Sequence, residues 1–249
     1  MRVRKHYFLF FLLLSFSVAL LFVWNYWWTR EWIEMYRYDR SHQEKAIETR
    51  AEIDAVLNSF THIPFAKLPA EYKVESHSDQ APFKKMLLAK SYYRIKGKDI
   101  YRKIIGDHRI KDLLSKDAFY KKHILAGEES ELYLLVDKKL LYCFLELKAE
   151  LKNKGFDSEA YVLKSVHRHP QKNKEVGGAS RSRHILGEAL DISIKDINRD
   201  GRTNGDDKQI VLDILDKKVI GNKGGIGLYP NTQSVHFDVR GKRARWNTY

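Results

Sequence analysis

SRHILGEALDI (Ser182 to Ile192) and VHFDV (Val235 to Val239) are the two stretches from which the fold of the C-terminal half is read. ALDISI (189–194) and VHFDV alternate apolar and polar residues, the period of a strand with one face in a core. AYVLKSV (160–166) alternates in the same way and is rich in β-formers. In this frame His184 and Asp191 flank a turn at Gly187, where glycine permits positive φ or a close backbone approach. His236 lies mid-strand and points to one face. Two imidazoles and one carboxylate make a three-ligand zinc site of the catalytic type, with the fourth position left to water.

Around these strands the pattern is helical. Asp137 to Lys154 carries Leu140, Leu141, Phe144, Leu145, Leu147 and Leu151 on an amphipathic helix stopped by Gly155. Cys143 falls within its apolar run and reads as a small core residue. ELYLLV (131–136) reads as a short strand or helix start, Asp207 to Lys218 as a helix, and GNKGGIGLYP (221–230) as a loop feeding the last strand. The order of helices and short strands predicts an α+β domain with a small antiparallel sheet and flanking helices over residues 126–249.

The N-terminal half reads differently. MRVRKH is followed by an uncharged run from Tyr7 to Trp28, close to the ~20 residues needed to span hydrocarbon as a helix. It ends in Trp24, Tyr26, Trp27 and Trp28, an aromatic belt. The expectation is a basic flank and transmembrane anchor over residues 1–29. The domain beyond it would then be extracytoplasmic, on a single-pass protein of the inner (cytoplasmic) membrane. Residues 30–125, charged at first and then punctuated by Pro64, Pro69 and Pro82, read as a helical, loop-rich spacer.

Across the 249 residues, 45 Lys+Arg face 32 Asp+Glu, a net charge of +13 that favours anionic surroundings. The charges are dispersed, with no basic block interleaved with aromatics, so nucleic acid is not expected as a partner. One cysteine excludes an internal disulfide and a Cys-rich zinc site.

Ser182, His184, Gly187, Ala189 and Asp191 match every fixed position of the pattern S-x-H-x-x-G-x-A-x-D. Upstream, SVHRHPQKN supplies Ser165, Arg168 and Asn173 to a strand ending in S-x-x-R followed by Asn; downstream, GGIGLYPNTQSVHFDVRGKRARW closes the chain. Over residues 130–249 the sequence thereby resembles the zinc D-Ala-D-Ala peptidase family, including murein endopeptidases, with its Hedgehog/DD-peptidase fold. The resemblance implies zinc on His184, Asp191 and His236, hydrolysis of amide bonds in peptidoglycan peptides by an activated water, and Arg168 clamping a substrate carboxylate or carbonyl. Many members carry an acid as general base three residues before the third ligand. Gln233 stands there and takes up no proton. Asp238, on the same strand face as His236, is the nearest substitute, either as base or as the carboxylate that orients His236. The missing acid keeps open the alternative of a non-catalytic, metal-stabilised domain that binds cell wall or a partner. His167 and His169, which flank Arg168, read as solvated loop residues, with the alternative that one lines the cleft, and Glu188 reads as pointing away from the metal.

DINRDGRTNGDD, Asp196 to Asp207, matches a twelve-residue calcium loop. Asp196, Asn198 and Asp200 take positions 1, 3 and 5, Gly201 the turn, and Arg202, Asn204 and Asp207 positions 7, 9 and 12. Asp at position 12 resembles the dockerin version. The expected role of this structural calcium is to stiffen the loop behind Asp191.

Overall fold

The computed structural model describes residues 26–127 and 130–247. Helices α1 (Tyr26–His42) and α2 (Arg50–Asn58) lead into β1 (Thr61–Pro64), α3 (Ala70–Glu75), α4 (Phe83–Leu87) and β2 (Ser91–Lys96). Then come β3 (Lys103–Ile105), β4 (His108–Arg109), α5 (Ile110–Leu113), α6 (Ala118–Ala126), β5 (Glu131–Leu134) and α7 (Lys138–Asn153). The C-terminal part runs β6 (Tyr161–Ser165), α8 (Pro170–Glu175), β7 (Ala189–Ile194), α9 (Gly205–Ile214), β8 (Gly225–Gly227), β9 (Ser234–Asp238) and β10 (Ala244–Trp246).

The α+β expectation holds, with additions. A five-stranded sheet runs in the order β10-β8-β9-β7-β6, antiparallel except for the parallel edge pair β10–β8. Strand β8 lies inside the glycine-rich stretch expected as a loop. Helix α7 forms where its apolar spacing placed it. Asp137 caps it by accepting the Lys139 N–H at 2.9 Å, and Leu140, Leu141, Phe144, Leu147 and Leu151 are buried against the sheet. Each such side chain contributes roughly 1.5–3 kcal/mol of burial. Leu190, Ile192 and Ile194 of β7 and Val235 and Phe237 of β9 meet α7 in one core. With a period of two, the intervening Asp191 and His236 occupy the opposite sheet face.

The stretch expected to be a loop-rich spacer does more than connect. Strands β1 and β2 pair with β5 in a three-stranded antiparallel sheet. Ile53, Leu57, Ile95, Ile104 and Ile110 join the same core as Phe144 and Phe237. Pairing of β2 with β5 crosses the expected boundary at residues 125–126, a long-range contact for which prolines in the sequence give no sign. A second cluster, including Phe65, Tyr72, Tyr92, Tyr133 and Leu135, packs under Ile185 and Leu186.

Helix α1 is fastened to this body by buried charge. The Glu31 carboxylate accepts from Lys111 Nζ at 2.9 Å and from the Tyr120 hydroxyl at 2.8 Å, and Arg109 donates to Asp39 at 2.8 Å. No helix among the described residues is long and apolar enough to cross a membrane. Of the anchor expected at residues 7–28, residues 7–25 lie outside the described residues, and Trp27 and Trp28 belong to the first turn of α1.

Candidate metal centre

The sheet register sets up the site. Asp191 of β7 stands directly opposite His236 of β9, with Ser165 of β6 beside Asp191 and Gly227 of β8 beside His236. Asp191 Oδ1 lies 2.7 Å from His236 Nδ1. The third member arrives on a one-turn helix, Arg183–Leu186. Ser182 caps that turn by accepting the His184 N–H, and Gly187 closes it in the left-handed region at φ 65°. A Cβ on Gly187 would lie 2.2 Å from the Leu135 carbonyl oxygen, so the close approach read from the sequence is real. Ile185 and Leu186, buried in the second cluster, hold the turn down. His184 Nε2 then stands 3.1 Å from Asp191 Oδ2 and 3.2 Å from His236 Nδ1.

The donor atoms of His184, Asp191 and His236 lie within 4.8 Å of one another, close enough to share one metal ion. Their outward partners complete the case. His184 Nδ1 lies 2.7 Å from the Val166 carbonyl, which accepts its proton and leaves Nε2 as the inward lone pair. His236 Nε2 lies 3.2 Å from Asp238 Oδ2, which leaves Nδ1 inward. Two imidazoles locked in complementary tautomers and one carboxylate suit zinc.

The electrostatics of the two histidines differ. Burial pushes the His184 imidazolium toward its neutral, ligating form. At His236 burial works the same way but is outweighed by the contacts to Asp191 and Asp238, which raise it. Burial works to raise Asp191, yet the two histidines hold its carboxyl far below the usual range. Arg168 donates to Asp191 Oδ2 and, through Nε, to Ser165 Oγ at 2.7 Å.

Asp238 holds the ring of His236 from outside the cluster. It is fully buried and sits behind His236, on the nitrogen turned away from the cluster. Its Oδ1 accepts the Gly225 N–H at 3.1 Å, and the Arg240 fork grips both oxygens at 2.6–3.0 Å. Against the upward push of burial, His236 and Arg240 hold its carboxyl well down. Arg240 was not singled out from the sequence, although D-x-R on one strand end carries the signal. Gln233 lines a separate cavity of about 740 Å³ between α9 and the β8–β10 edge. Asp191 and Arg168 open instead on a cleft of about 580 Å³ lined also by Ser165, Lys116, Lys164 and Lys172.

Glu188 points away from the cluster as expected, pairing with Lys90 at 2.7 Å and Arg183 at 2.9 Å. His167 and His169, expected in solvent, are buried. His167 packs edge-on against Tyr92, and burial pushes it well toward the neutral form.

The calcium expected at Asp196 to Asp207 gains no support from the side-chain clusters. Among the described residues, Asp196, Asp200 and Asp207 form no group of metal-binding dimensions. Asp207 is fully buried, and its carboxylate accepts the backbone N–H groups of Ile197 (2.7 Å), Asn198 (3.1 Å) and Asn204 (2.9 Å). Asn204 accepts the Asp206 N–H in return, a capping box that starts α9. Asp196 bonds the N–H groups of Asp200 and Gly201, while Asn198 Oδ1 bonds that of Asp200 and Asp200 that of Arg202. These bonds from the loop's own backbone shape the turn.

The model of the Peptidase M15 family matches residues 146–238, the stretch that holds all three ligands and both of their outward partners. Over those residues the chain is similar to that family. No curated protein and no solved structure matches the chain. The matched segment begins within α7 and ends at Asp238, so the three-stranded sheet lies wholly outside it, while Arg240 and Trp246, whose ring lies tilted to that of His236 at 5.2 Å, lie beyond its end.

Proposed function

We propose that this chain is a zinc-dependent peptidase that hydrolyses amide bonds in peptidoglycan stem peptides or crosslinks, as a D,D-carboxypeptidase or murein endopeptidase. The observation that carries the reading is the pair of locked tautomers: His184 and His236 each commit the outer nitrogen to a fixed acceptor and turn the inner one on Asp191. Zinc held by His184, Asp191 and His236 supplies Lewis acidity that polarises a scissile carbonyl and brings a water's pKa toward ~7. The chain's own part is positional. Asp238, backed by Arg240, fixes the ring of His236, and Arg168, anchored on Ser165, offers a planar fork to a substrate carboxylate or carbonyl. Lys164 and Lys172 join Arg168 on the adjoining cleft, alongside Asp112 and Asp191, and offer cations to the carboxylate-bearing peptides of the cell wall. The basic flank and uncharged run at residues 7–28 support an inner-membrane anchor with the domain outside the cytoplasm.

A second reading is favoured by one observation. Asp238 faces away from the cluster and Gln233 faces another cavity, so neither position supplies the cleft with a carboxylate base. On that reading the metal stabilises a domain that binds wall peptides without cutting them. Chromatography of purified muropeptides before and after incubation with the zinc-loaded full-length protein separates the two. New products that vanish in His184→Ala, Asp191→Ala and His236→Ala support the peptidase. Retention of muropeptides without products, at full zinc stoichiometry, supports the binder.

A further inference from the structure

Arg168 is held by a frame that comes from outside the family segment. It sits in the loop between β6 and α8, and its neighbours at alternate positions are fastened to the N-terminal half of the chain. His167 N–H donates to the Leu113 carbonyl at 3.1 Å, and Gln171 N–H donates to the Ser76 carbonyl at 3.2 Å. Between them the buried His169 ring is hydrogen-bonded through Nε2 to the Tyr72 hydroxyl at 2.7 Å, while Nδ1 faces Asp117 Oδ2 at 2.6 Å as a close polar contact. The rings of Tyr72 and Phe119 stand edge-on to it at 5.3 and 5.5 Å. Asp117 is itself fixed, because its other oxygen caps α6 through the N–H groups of Phe119 and Tyr120. Burial works to raise the Asp117 carboxyl, but the contact with His169 leads the forces that hold it below its ordinary value.

Arg168 faces the other way. Its own N–H donates to the His184 carbonyl at 3.2 Å, and its guanidinium reaches Ser165 and Asp191. An arginine side chain has several soft torsions, so its aim depends on how firmly its Cα is held. Here the residues on either side cannot move without breaking buried polar contacts, which are costly to leave unmade.

We infer that Tyr72, Asp117 and His169 are positioning residues for Arg168, so that residues 72–117 form part of the frame of the metal-side cleft. The inference rests on the proposed peptidase reading only where turnover is the readout. Neither Tyr72 nor Asp117 lies within the matched segment 146–238.

The test uses Tyr72→Phe, which keeps the ring and removes the hydroxyl, and Asp117→Asn, which keeps a good helix cap and removes the charge. Both are made in the full-length protein and compared by zinc stoichiometry, by kcat and KM on purified muropeptides, and by ¹⁵N NMR of the Arg168 Nε–H. Zinc should stay stoichiometric, kcat/KM should fall about 10–100-fold, as for other groups that orient a site residue, and the Nε–H should lose its protection from solvent exchange. The double variant should fall less than the product of the two single losses, since both cut one network. Wild-type kcat/KM with a protected Nε–H in folded single variants overturns the inference. If the wild type cuts no muropeptide but the variants still lose Nε–H protection, the inference stands and the peptidase reading falls.

Discussion

Asp191 and His236 face each other across β7 and β9 in direct register, 2.7 Å apart. The ladder that pairs them also pairs Ala189 with Asp238, so one strand pairing sets both a ligand pair and the carboxylate behind it. A slip by one residue would turn His236 into the core and Phe237 out. The cluster therefore depends on the packing of Leu190, Ile192, Val235 and Phe237 as much as on the ligands themselves.

Asp238→Asn should lower zinc affinity about 10–100-fold, because the carboxamide holds the His236 ring more weakly. A zinc titration followed by calorimetry measures the affinity, and excess zinc should restore most of the activity. Undiminished zinc affinity with activity lost at every zinc concentration would assign Asp238 to proton transfer instead.

Gly187→Ala should destabilise the fold by about 1–3 kcal/mol, the range for a strained backbone position, with a further cost from the clash. The new Cβ meets the Leu135 carbonyl at 2.2 Å on a backbone with φ 65°. Urea denaturation gives the stability. Because His184 sits on the same turn, zinc binding should weaken in parallel, whereas an unchanged unfolding midpoint would mean the turn relaxes freely.

Asp207→Ala should lower the thermal midpoint whether calcium or a chelator is present. One buried N–H, that of Ile197, and two part-buried ones lose their acceptor, the buried loss alone worth about 1–3 kcal/mol before relaxation. Differential scanning calorimetry in both buffers checks this. A wild-type midpoint that rises with calcium, and no longer does so in the variant, would restore the calcium loop.

Asp112 gives a pH signature. Burial works to raise its carboxyl, but the contact with His108, the charge of Lys111 and the Arg109 N–H pull it from 3.8 down to about 2. With its folded value below the unfolded one, its stabilising contribution is complete above the unfolded value and lost as pH falls toward the folded one. The stability gap between wild type and Asp112→Asn should thus be flat from about pH 7 to 5 and close between about pH 4 and 2. Denaturant melts across that range measure it, and a gap that widens toward acid would reverse the assignment.

What the sequence made legible was local. Ser182, His184, Gly187 and Asp191 lie within one turn and one strand, so spacing alone conveys their geometry, and the alternation in VHFDV places His236 on the same face. Asp238 was ambiguous because period two gives a strand face, whereas its role depends on which nitrogen of His236 it meets. His169 meets Tyr72 across 97 residues, a pairing no local pattern encodes. The calcium spacing is complete, and Asn204 and Asp207 also carry the spacing of a helix capping box, so the local pattern reads both ways. The pairing of β1 and β2 with β5 was hidden for the same reason as the His169 contact: its partners are distant in sequence.

Helix α1 is pinned twice along its length, at Glu31 and at Asp39. The two contacts, buried at Glu31 and exposed at Asp39, lie about 12 Å apart at 1.5 Å per residue and together oppose roll and slide of the rod. The chain at Tyr26 therefore meets the body at one angle and one offset from the cleft, and it behaves as a bracket where a tether would have swung. For anything joined to that end, the height and tilt of the cleft are set by geometry. Adding one turn to α1 before Glu31 would raise the cleft by about 5.4 Å, while a longer flexible link placed there would change only how far it wanders.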